Sequence, residues 1–374
     1  MSRAQIKQNL IVPLNSQSRF KTIFRCSSLA SLKIGKMSGL YSSNRGAQIG
    51  ITFTFSVLVT LDLIGNTLVI FVILSNKSMR TPMNFLLINL AIADIMVATF
   101  IAPRFIFSHF FTHPDGLSGT IVCKLLTGGN FTWTGGAGSV FSLVAIAFER
   151  YFAVMHPYSQ KLKLTVQKVK QIVVACWIFA VVLNLPLFLT IFYDKKNNFC
   201  MEVWPKQPDW LAKAYSSVWF IVAGVVPISM MFILYSKVVY TLWFKKSPHD
   251  VQGTQLAVLR SRKRVTKMVV TVSIIYGLSW LPNLTIYALN YYHPGYTYGD
   301  VTYICSIVIV TCNSTINPFI YTFQSGKFRR HLKDLVCCRK YRKNQVDVST
   351  TAASTHTTPK SHHDEESKFA DQNV

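Results

Sequence analysis

Between Leu125 and Phe148 the chain runs for 24 residues without a charge, and Glu149, Arg150 and Tyr151 follow at once. At about 1.5 Å per residue, such a run is long enough to cross the ~30 Å hydrocarbon core of a bilayer as a helix. The acid and base therefore sit at a membrane face. A carboxylate beside a guanidinium at the edge of hydrocarbon is costly unless each group finds a partner, which makes the pair a candidate functional site. The plainer alternative is an arginine that merely anchors a helix end by reaching for the interface. The rest of the chain decides between them.

Six further apolar stretches accompany this one: Ile49 to Leu74, Phe85 to Phe107, Ile172 to Phe192, Ala214 to Ser236, Met268 to Tyr292 and Val301 to Phe323. With half of the 374 residues hydrophobic and only 14% charged, the composition excludes an ordinary soluble domain. The expected fold is an all-α membrane protein of seven transmembrane helices, with its termini on opposite sides. Segments 75–84, 149–171, 237–267 and 324–343 hold 23 Lys and Arg, whereas 104–124, 193–213 and 290–300 hold six. The first set is therefore cytoplasmic and the N-terminus lies outside. Much of the +24 net charge is this bias, a membrane-surface feature and not a nucleic-acid footprint.

Residues 1–48 contradict the rule, with eight Lys and Arg and no acid. A start at Met37 would leave a short outer tail with one basic residue, so residues 1–36 are expected to be untranslated and the first span to act as the insertion signal. Cys123 opens the third span on the outside and Cys200 lies in the outer loop 193–213, an oxidising setting that predicts a disulfide between them. Cys176, Cys305 and Cys312 fall within spans as small buried thiols, and Cys337 and Cys338 follow a basic stretch suited to lipidation by palmitate.

Polar residues recur at membrane depth: Asp62, Gly65 and Asn66 in the first span, Asn89 and Asp94 in the second. Such groups turn inward and find hydrogen-bond partners. Pro103, Pro186, Pro227, Pro282 and Pro318 each remove a backbone bond inside a span, leaving a carbonyl for a neighbour or water. Gly128, Gly129, Gly135, Gly136 and Gly138 read as close helix packing through small residues. The sequons at Asn76, Asn130, Asn283 and Asn313 lie too near or within the membrane to carry sugar.

After the last span, Phe328, Leu332 and Leu335 share one side of a short basic stretch, which predicts an amphipathic eighth helix on the inner leaflet. The organisation is thus an outer segment 1–48, a bundle 49–324, a surface helix 325–336 and a polar cytoplasmic tail 337–374, expected to be disordered. Ser349, Thr350, Thr351, Ser354, Thr355, Thr357 and Thr358 form a candidate phosphorylation cluster in that tail.

One signal per span, in fixed order, carries a resemblance: Gly65-Asn66, Leu90-Ala91-Ile92-Ala93-Asp94, Glu149-Arg150-Tyr151, Trp177, Pro227 with Tyr235, Trp280-Leu281-Pro282, and Asn317-Pro318-Phe319-Ile320-Tyr321. Over about residues 49–338 the chain resembles the rhodopsin-like (class A) G-protein-coupled receptors. The resemblance implies a plasma-membrane receptor that binds an extracellular ligand and activates heterotrimeric G proteins, with arrestin and a receptor kinase acting on the Ser/Thr tail, membrane lipids around the bundle and no nucleic-acid partner. It implies no cofactor beyond a regulatory sodium ion held by Asp94, Ser139, Asn313 and Asn317, oxygen ligands that suit a hard cation. Trp280 above the Pro282 kink looks like the toggle that biases the sixth span, with Val140, Pro227 and Tyr276 as the packing triad beneath. Arg150, released from Glu149, would then meet Tyr235, Tyr321 and the partner's helix.

Three features depart from that pattern. Arg262 stands where many relatives carry an acid that locks the helix-3 arginine, so appreciable basal activity is expected. The interval of 27 from Cys123 to Arg150 is longer than usual, and Glu149 replaces the more frequent Asp, a benign change. Thr132 stands where amine receptors carry an Asp, and Thr311 where opsins carry their retinal-bearing Lys, which argues against both ligand classes.

The outer loop with Phe199-Cys200-Met201-Glu202-Val203-Trp204-Pro205 looks like the hairpin loop of neuropeptide receptors, including those for amidated peptides. A Glu beside a Trp is suited to pair with and stack on an Arg of such a peptide. The expected ligand is a neuropeptide, with Thr132, Glu202, Trp219, Trp280, Asn283, Tyr287 and Tyr303 around the pocket. A small non-peptide ligand, lipid or indole, is the alternative that neutral Thr132 and Asn283 permit. A transporter would show inverted repeats, and an intramembrane enzyme a catalytic motif such as H-E-x-x-H or G-x-S-x-G; neither is seen.

Overall fold

The structure, a computed structural model, describes residues 45–107, 110, 112–195, 199–244, 253–293 and 301–336. Seven helices are long and apolar enough to cross a membrane. They are α1 (Arg45–Ser75), α2 (Pro82–Phe105), α3 (Gly116–Met155), α4 (Val166–Thr190), α5 (Trp210–Trp243), α6 (Gly253–Tyr292) and α7 (Val301–Gln324). A two-stranded hairpin, β1 (Ile191–Asp194) and β2 (Phe199–Glu202), joins α4 to α5, and α8 (Gly326–Val336) follows α7. The start proposed at Met37, the lipidation sites Cys337 and Cys338 and the Ser/Thr tail lie outside the described residues.

The lipid accounts for which helix sits where. Of the most apolar window of each helix, 67% is buried inside the bundle for α3 but only 17% for α4. The helix with the small residues is therefore the central post, packed against α2, α4, α5 and α6, while α4 shows most of its surface outward. The glycines explain the close approach. A Cβ on Gly135 would lie 2.9 Å from the Ala93 carbonyl oxygen on α2, so that pair of backbones leaves no space for a side chain. Gly65 plays the same part between α1 and α7, where an added Cβ would meet Pro318 Cγ at 2.9 Å.

The long interval between Cys123 and Arg150 has a structural cause. After its first turns α3 passes through a π-helical segment, Cys123–Thr127, and restarts at Asn130. Gly129 makes the join at φ 85°, a left-handed conformation that glycine takes without strain. The extra length is taken up in this segment, before the regular helix that begins at Asn130.

Two prolines show where their orphaned carbonyls go. Pro227 cannot donate to the carbonyl four residues back, that of Ala223, and the Tyr276 hydroxyl on α6 donates to it at 2.6 Å. Pro318 cannot donate to Ser314, whose carbonyl accepts from Asn66 Nδ2 on α1 at 3.4 Å. Each kink is thereby stitched to a neighbouring helix.

Alpha 8 buries Phe328 and packs Leu332 and Leu335 against the main core, the apolar face expected of it. Lys327 Nζ donates to the Ser78 carbonyl at 2.9 Å and pins its start to the loop between α1 and α2.

Candidate functional site

The outer end of the bundle holds a narrow cavity lined by Trp133, Leu187, Ile191, Glu202, Trp219, Trp280, Asn283, Leu284, Tyr287 and Tyr303. Six of the seven expected pocket residues are brought together here. Thr132 is not among them: it is buried on α3, and the neighbouring Trp133 lines the cavity in its place. The large Trp133 ring stands edge-on to Trp280, with centroids 6.3 Å apart.

The hairpin sets the lid of this cavity. Its register pairs Ile191 with Glu202 and Tyr193 with Cys200, so Cys200 and Glu202, two residues apart, share one face of β2. The disulfide Cys123–Cys200 ties that face to the top of α3. Glu202 is consequently held over the cavity, where it accepts from Tyr287 Oη at 2.9 Å and from Trp204 Nε1 at 2.5 Å. Desolvation pushes its carboxyl above the usual glutamate range, and the hydrogen bonds of Tyr291, Trp204 and Tyr287 and the charge of Arg104 act in the opposite direction. Behind it, Trp204 packs on Tyr215 with centroids 5.1 Å apart, and Trp219 Nε1 donates to Tyr215 Oη at 2.8 Å. A buried acid ringed by phenols and indoles suits a cationic, partly aromatic ligand.

The sequence alone gives Arg104 no role. It is buried at the outer end of α2, where Nη1 donates to the Gly128 carbonyl at 2.8 Å beside the break in α3. The signal was present, since a basic residue in the last turn of a spanning helix rarely lacks a purpose.

Below the cavity, Trp280 stacks on Tyr276 with centroids 5.6 Å apart, and Val140, Pro227 and Tyr276 are all buried. Deeper still, Asp94 accepts from Ser139 Oγ at 3.2 Å and from Asn317 Nδ2 at 2.7 Å. Asn313 is buried nearby in sequence on α7, and the side-chain oxygens of Asn313 and Asn317 have no hydrogen-bond partner among the described residues. An acid with acceptor oxygens left over is a donor set that fits a hard cation.

Comparison with known proteins matches residues 65–321 to the 7 transmembrane receptor (rhodopsin family) model. The chain belongs to this family. Relatives include the mouse (Mus musculus) neuropeptide FF receptor 2, 30% identical over 332 residues that cover 82% of this chain and 77% of the relative. The rat (Rattus norvegicus) pyroglutamylated RF-amide peptide receptor is 26% identical over 311 residues, 78% of this chain and 70% of the relative. The dog (Canis lupus familiaris) substance-K receptor is 29% identical over 296 residues, 76% and 74% of the two chains. The receptor is thus a multi-pass membrane protein of a receptor family and not an enzyme.

At the inner face of the receptor, Arg150 forms a two-pronged ion pair with Glu149 on the same helix. Arg150 lines a cavity with Tyr321, Met268 and Arg264, and the buried Tyr321 hydroxyl has no hydrogen-bond partner among the described residues. Tyr235 is buried on α5 within electrostatic reach of Arg150. Tyr151 packs outward against Val154, Val238 and Leu242. Pro282 and Pro318 lie inside α6 and α7 as kinks. Arg262 borders a second inner cavity with Glu149 and Arg150, so the position that could hold an acid lock carries a like charge beside the arginine.

Proposed function

We propose that the receptor sits in the plasma membrane with its N-terminus outside, binds an extracellular neuropeptide and activates heterotrimeric G proteins. The single observation that carries the ligand class is Glu202, a desolvated carboxyl held over the cavity by Tyr287 and Trp204. An arginine side chain of an amidated peptide supplies a positive charge to this carboxyl, and Trp204, Trp219 and Tyr287 supply surfaces for an aromatic neighbour. Several relatives are named as receptors of peptides, among them RF-amide peptides, and this supports the same reading.

In this account the peptide presses through Trp133 on Trp280, whose ring rests on Tyr276. Movement of Trp280 shifts α6 about the Pro282 kink, and Arg150 exchanges Glu149 for the Tyr321 and Tyr235 hydroxyls and the G protein. Asp94, Ser139, Asn313 and Asn317 are the residues that would hold a sodium ion in the resting state. Bound there, the ion would supply a charge that neutralises Asp94 and couples α2, α3 and α7. Palmitoylation at Cys337 and Cys338, and capture of arrestin and a receptor kinase by the Ser/Thr tail, complete the account at the inner leaflet.

The test is a library of amidated and non-amidated peptides and of small lipids and indoles, read by nucleotide exchange on added G protein. Potency confined to Arg-bearing peptides, with a loss on Glu202→Ala, is the expected result. Equal potency on Glu202→Ala removes the proposed role of the loop, and activation by lipids or indoles alone favours a small-molecule receptor.

A further inference from the structure

The residues of α6 that line the outer cavity, Trp280, Asn283, Leu284 and Tyr287, stand at i, i+3, i+4 and i+7 and so share one face of the helix. Tyr287 holds Glu202 at the outer end of that face. Asn283 stands about 6 Å deeper along the helix, and Trp280 nearly another turn below it. Glu202 and Trp280 have parts in the peptide reading, whereas Asn283 has none beyond lining the pocket.

A hydrogen-bond relay fixes which way the Asn283 amide points. Ser306 Oγ on α7 lies 2.6 Å from the Tyr303 carbonyl oxygen, an atom that can only accept, so the single hydroxyl proton goes there. Asn283 lies 2.9 Å from the same Oγ and must therefore donate to it, which turns Nδ2 toward Ser306. Among the described residues this is the only hydrogen bond of the Asn283 side chain, and Oδ1 remains as an acceptor at the cavity wall. Trp280 supplies the converse: its Nε1 is a buried donor with no hydrogen-bond partner among the described residues.

An uncommitted acceptor and an orphaned donor on one helix face are the complement of a primary carboxamide, which offers N–H groups and a carbonyl together. A carboxylate has no N–H for Asn283. It would also bring its charge into a cavity whose described lining contains the acid Glu202 and no basic side chain; Arg104 does not line it.

We propose that this cavity selects a C-terminal primary carboxamide, with Asn283 Oδ1 accepting from the carboxamide N–H and Trp280 Nε1 donating to its oxygen. Ser306 is the positioning residue that fixes which end of Asn283 faces the ligand. This inference rests on the peptide reading of the same cavity and adds a second anchor to it, one turn below the arginine at Glu202.

The experiment uses three pools of random-sequence peptides ending in Arg-Phe, identical but for a C-terminal carboxamide, methyl ester or free carboxylate. Each is titrated on purified full-length receptor, with nucleotide exchange on added G protein and the unfolding midpoint as readouts. The carboxamide pool is expected to act at concentrations at least about tenfold lower than the other two, since a site built on hydrogen bonds rejects analogues that leave its polar groups unpaired. Asn283→Leu, close in size and without polar atoms, should bring the three pools level. Ser306→Ala leaves the cavity lining intact but frees the Asn283 amide to turn, and should narrow the ratio between carboxamide and carboxylate. A merely structural role for Ser306 would shift all three pools together.

Equal potency of the pools in the wild type, or a carboxamide preference that survives both variants, overturns the proposal; a loss on Glu202→Ala in the same assay leaves the peptide reading standing. No response to any pool, with activation by lipids or indoles, sinks both. If Asn283→Leu fails to fold, the wild-type ratio and its change in Ser306→Ala decide the matter.

Discussion

A Cβ on Gly136 would lie 2.2 Å from Trp280 Cη2, so α3 has room for Trp280 only because it carries no side chain there. At Gly138, two residues on, the same atom would meet Trp177 at 3.3 Å, a contact that a small shift relieves. The indole at the base of the ligand cavity is therefore seated against bare backbone, and any side chain at 136 must displace it.

Gly136→Ala is accordingly expected to cost about 1–3 kcal/mol, the range for overpacking a close-fitted core, and to change basal nucleotide exchange by moving Trp280. Gly138→Ala should do much less on both counts. Thermal unfolding of the two purified variants, with exchange measured in parallel, checks this; equal effects would contradict the seating of Trp280.

Removing the Tyr276 hydroxyl tests the stitch between α5 and α6. Tyr276→Phe leaves the Ala223 carbonyl, which Pro227 cannot serve, without its 2.6 Å donor. A loss of about 1–3 kcal/mol, the cost of leaving a buried carbonyl unpaired, is expected, together with an altered agonist response, since the bond ties α6, the helix proposed to move with Trp280, to α5. Unfolding and exchange assays on this variant read both.

Acidification should weaken a cationic peptide ligand. Desolvation sets the Glu202 carboxyl above its usual range, so protonation removes its charge at a pH above the roughly 4.3 of a free glutamate. The charged form is present above that raised value and is lost as pH falls through it. A bound cation draws the value back down, so affinity and protonation oppose each other. Peptide affinity measured against pH should fall in the wild type and stay weak and flat in Glu202→Gln; parallel profiles would exclude Glu202 as the charge partner.

Much of this was legible in the residues, and what was missed has physical causes. Each expected span lies on an observed helix to within two residues at its ends, because an uncharged run of bilayer length has no other way to satisfy its backbone. The inner part of α6 was not foreseen: it begins at Gly253, whereas the apolar run begins at Met268. Arg260, Arg262, Lys263 and Arg264 make that extension polar, and hydropathy is silent about helix that stands in water. Thr132 and Trp133 differ by about 100° around α3, and a count from Arg150 fixes depth in the membrane but not which of two neighbours faces a cavity. The hairpin was expected, yet its register, which puts Glu202 on the same face as Cys200, depends on pairing that spacing alone does not reveal. Asp62 was seen as polar and inward-facing, and only the contacts through the Asn66 amide tie it to the Ser314 carbonyl on α7.

Introducing an acid at the inner end of α6 should quiet the receptor. Arg262→Glu would place a carboxylate at the cavity that Glu149 and Arg150 border, offering the arginine a second partner in the resting state. Ligand-independent nucleotide exchange is expected to fall, while Arg262→Gln should lower it less; a rise with Arg262→Glu would contradict the reading of this position.

The central claim is that buried polar groups here are parts of one switch, running from Trp280 past Asp94 to Arg150. Agonist-stimulated nucleotide exchange on purified G protein, compared between wild type, Asp94→Asn, Arg150→Ala and the double variant at matched receptor concentration, tests it most directly. Stimulation is expected to drop in each single variant and to fall no further in the double than in the worse of the two. Full stimulation in the double variant would contradict the account.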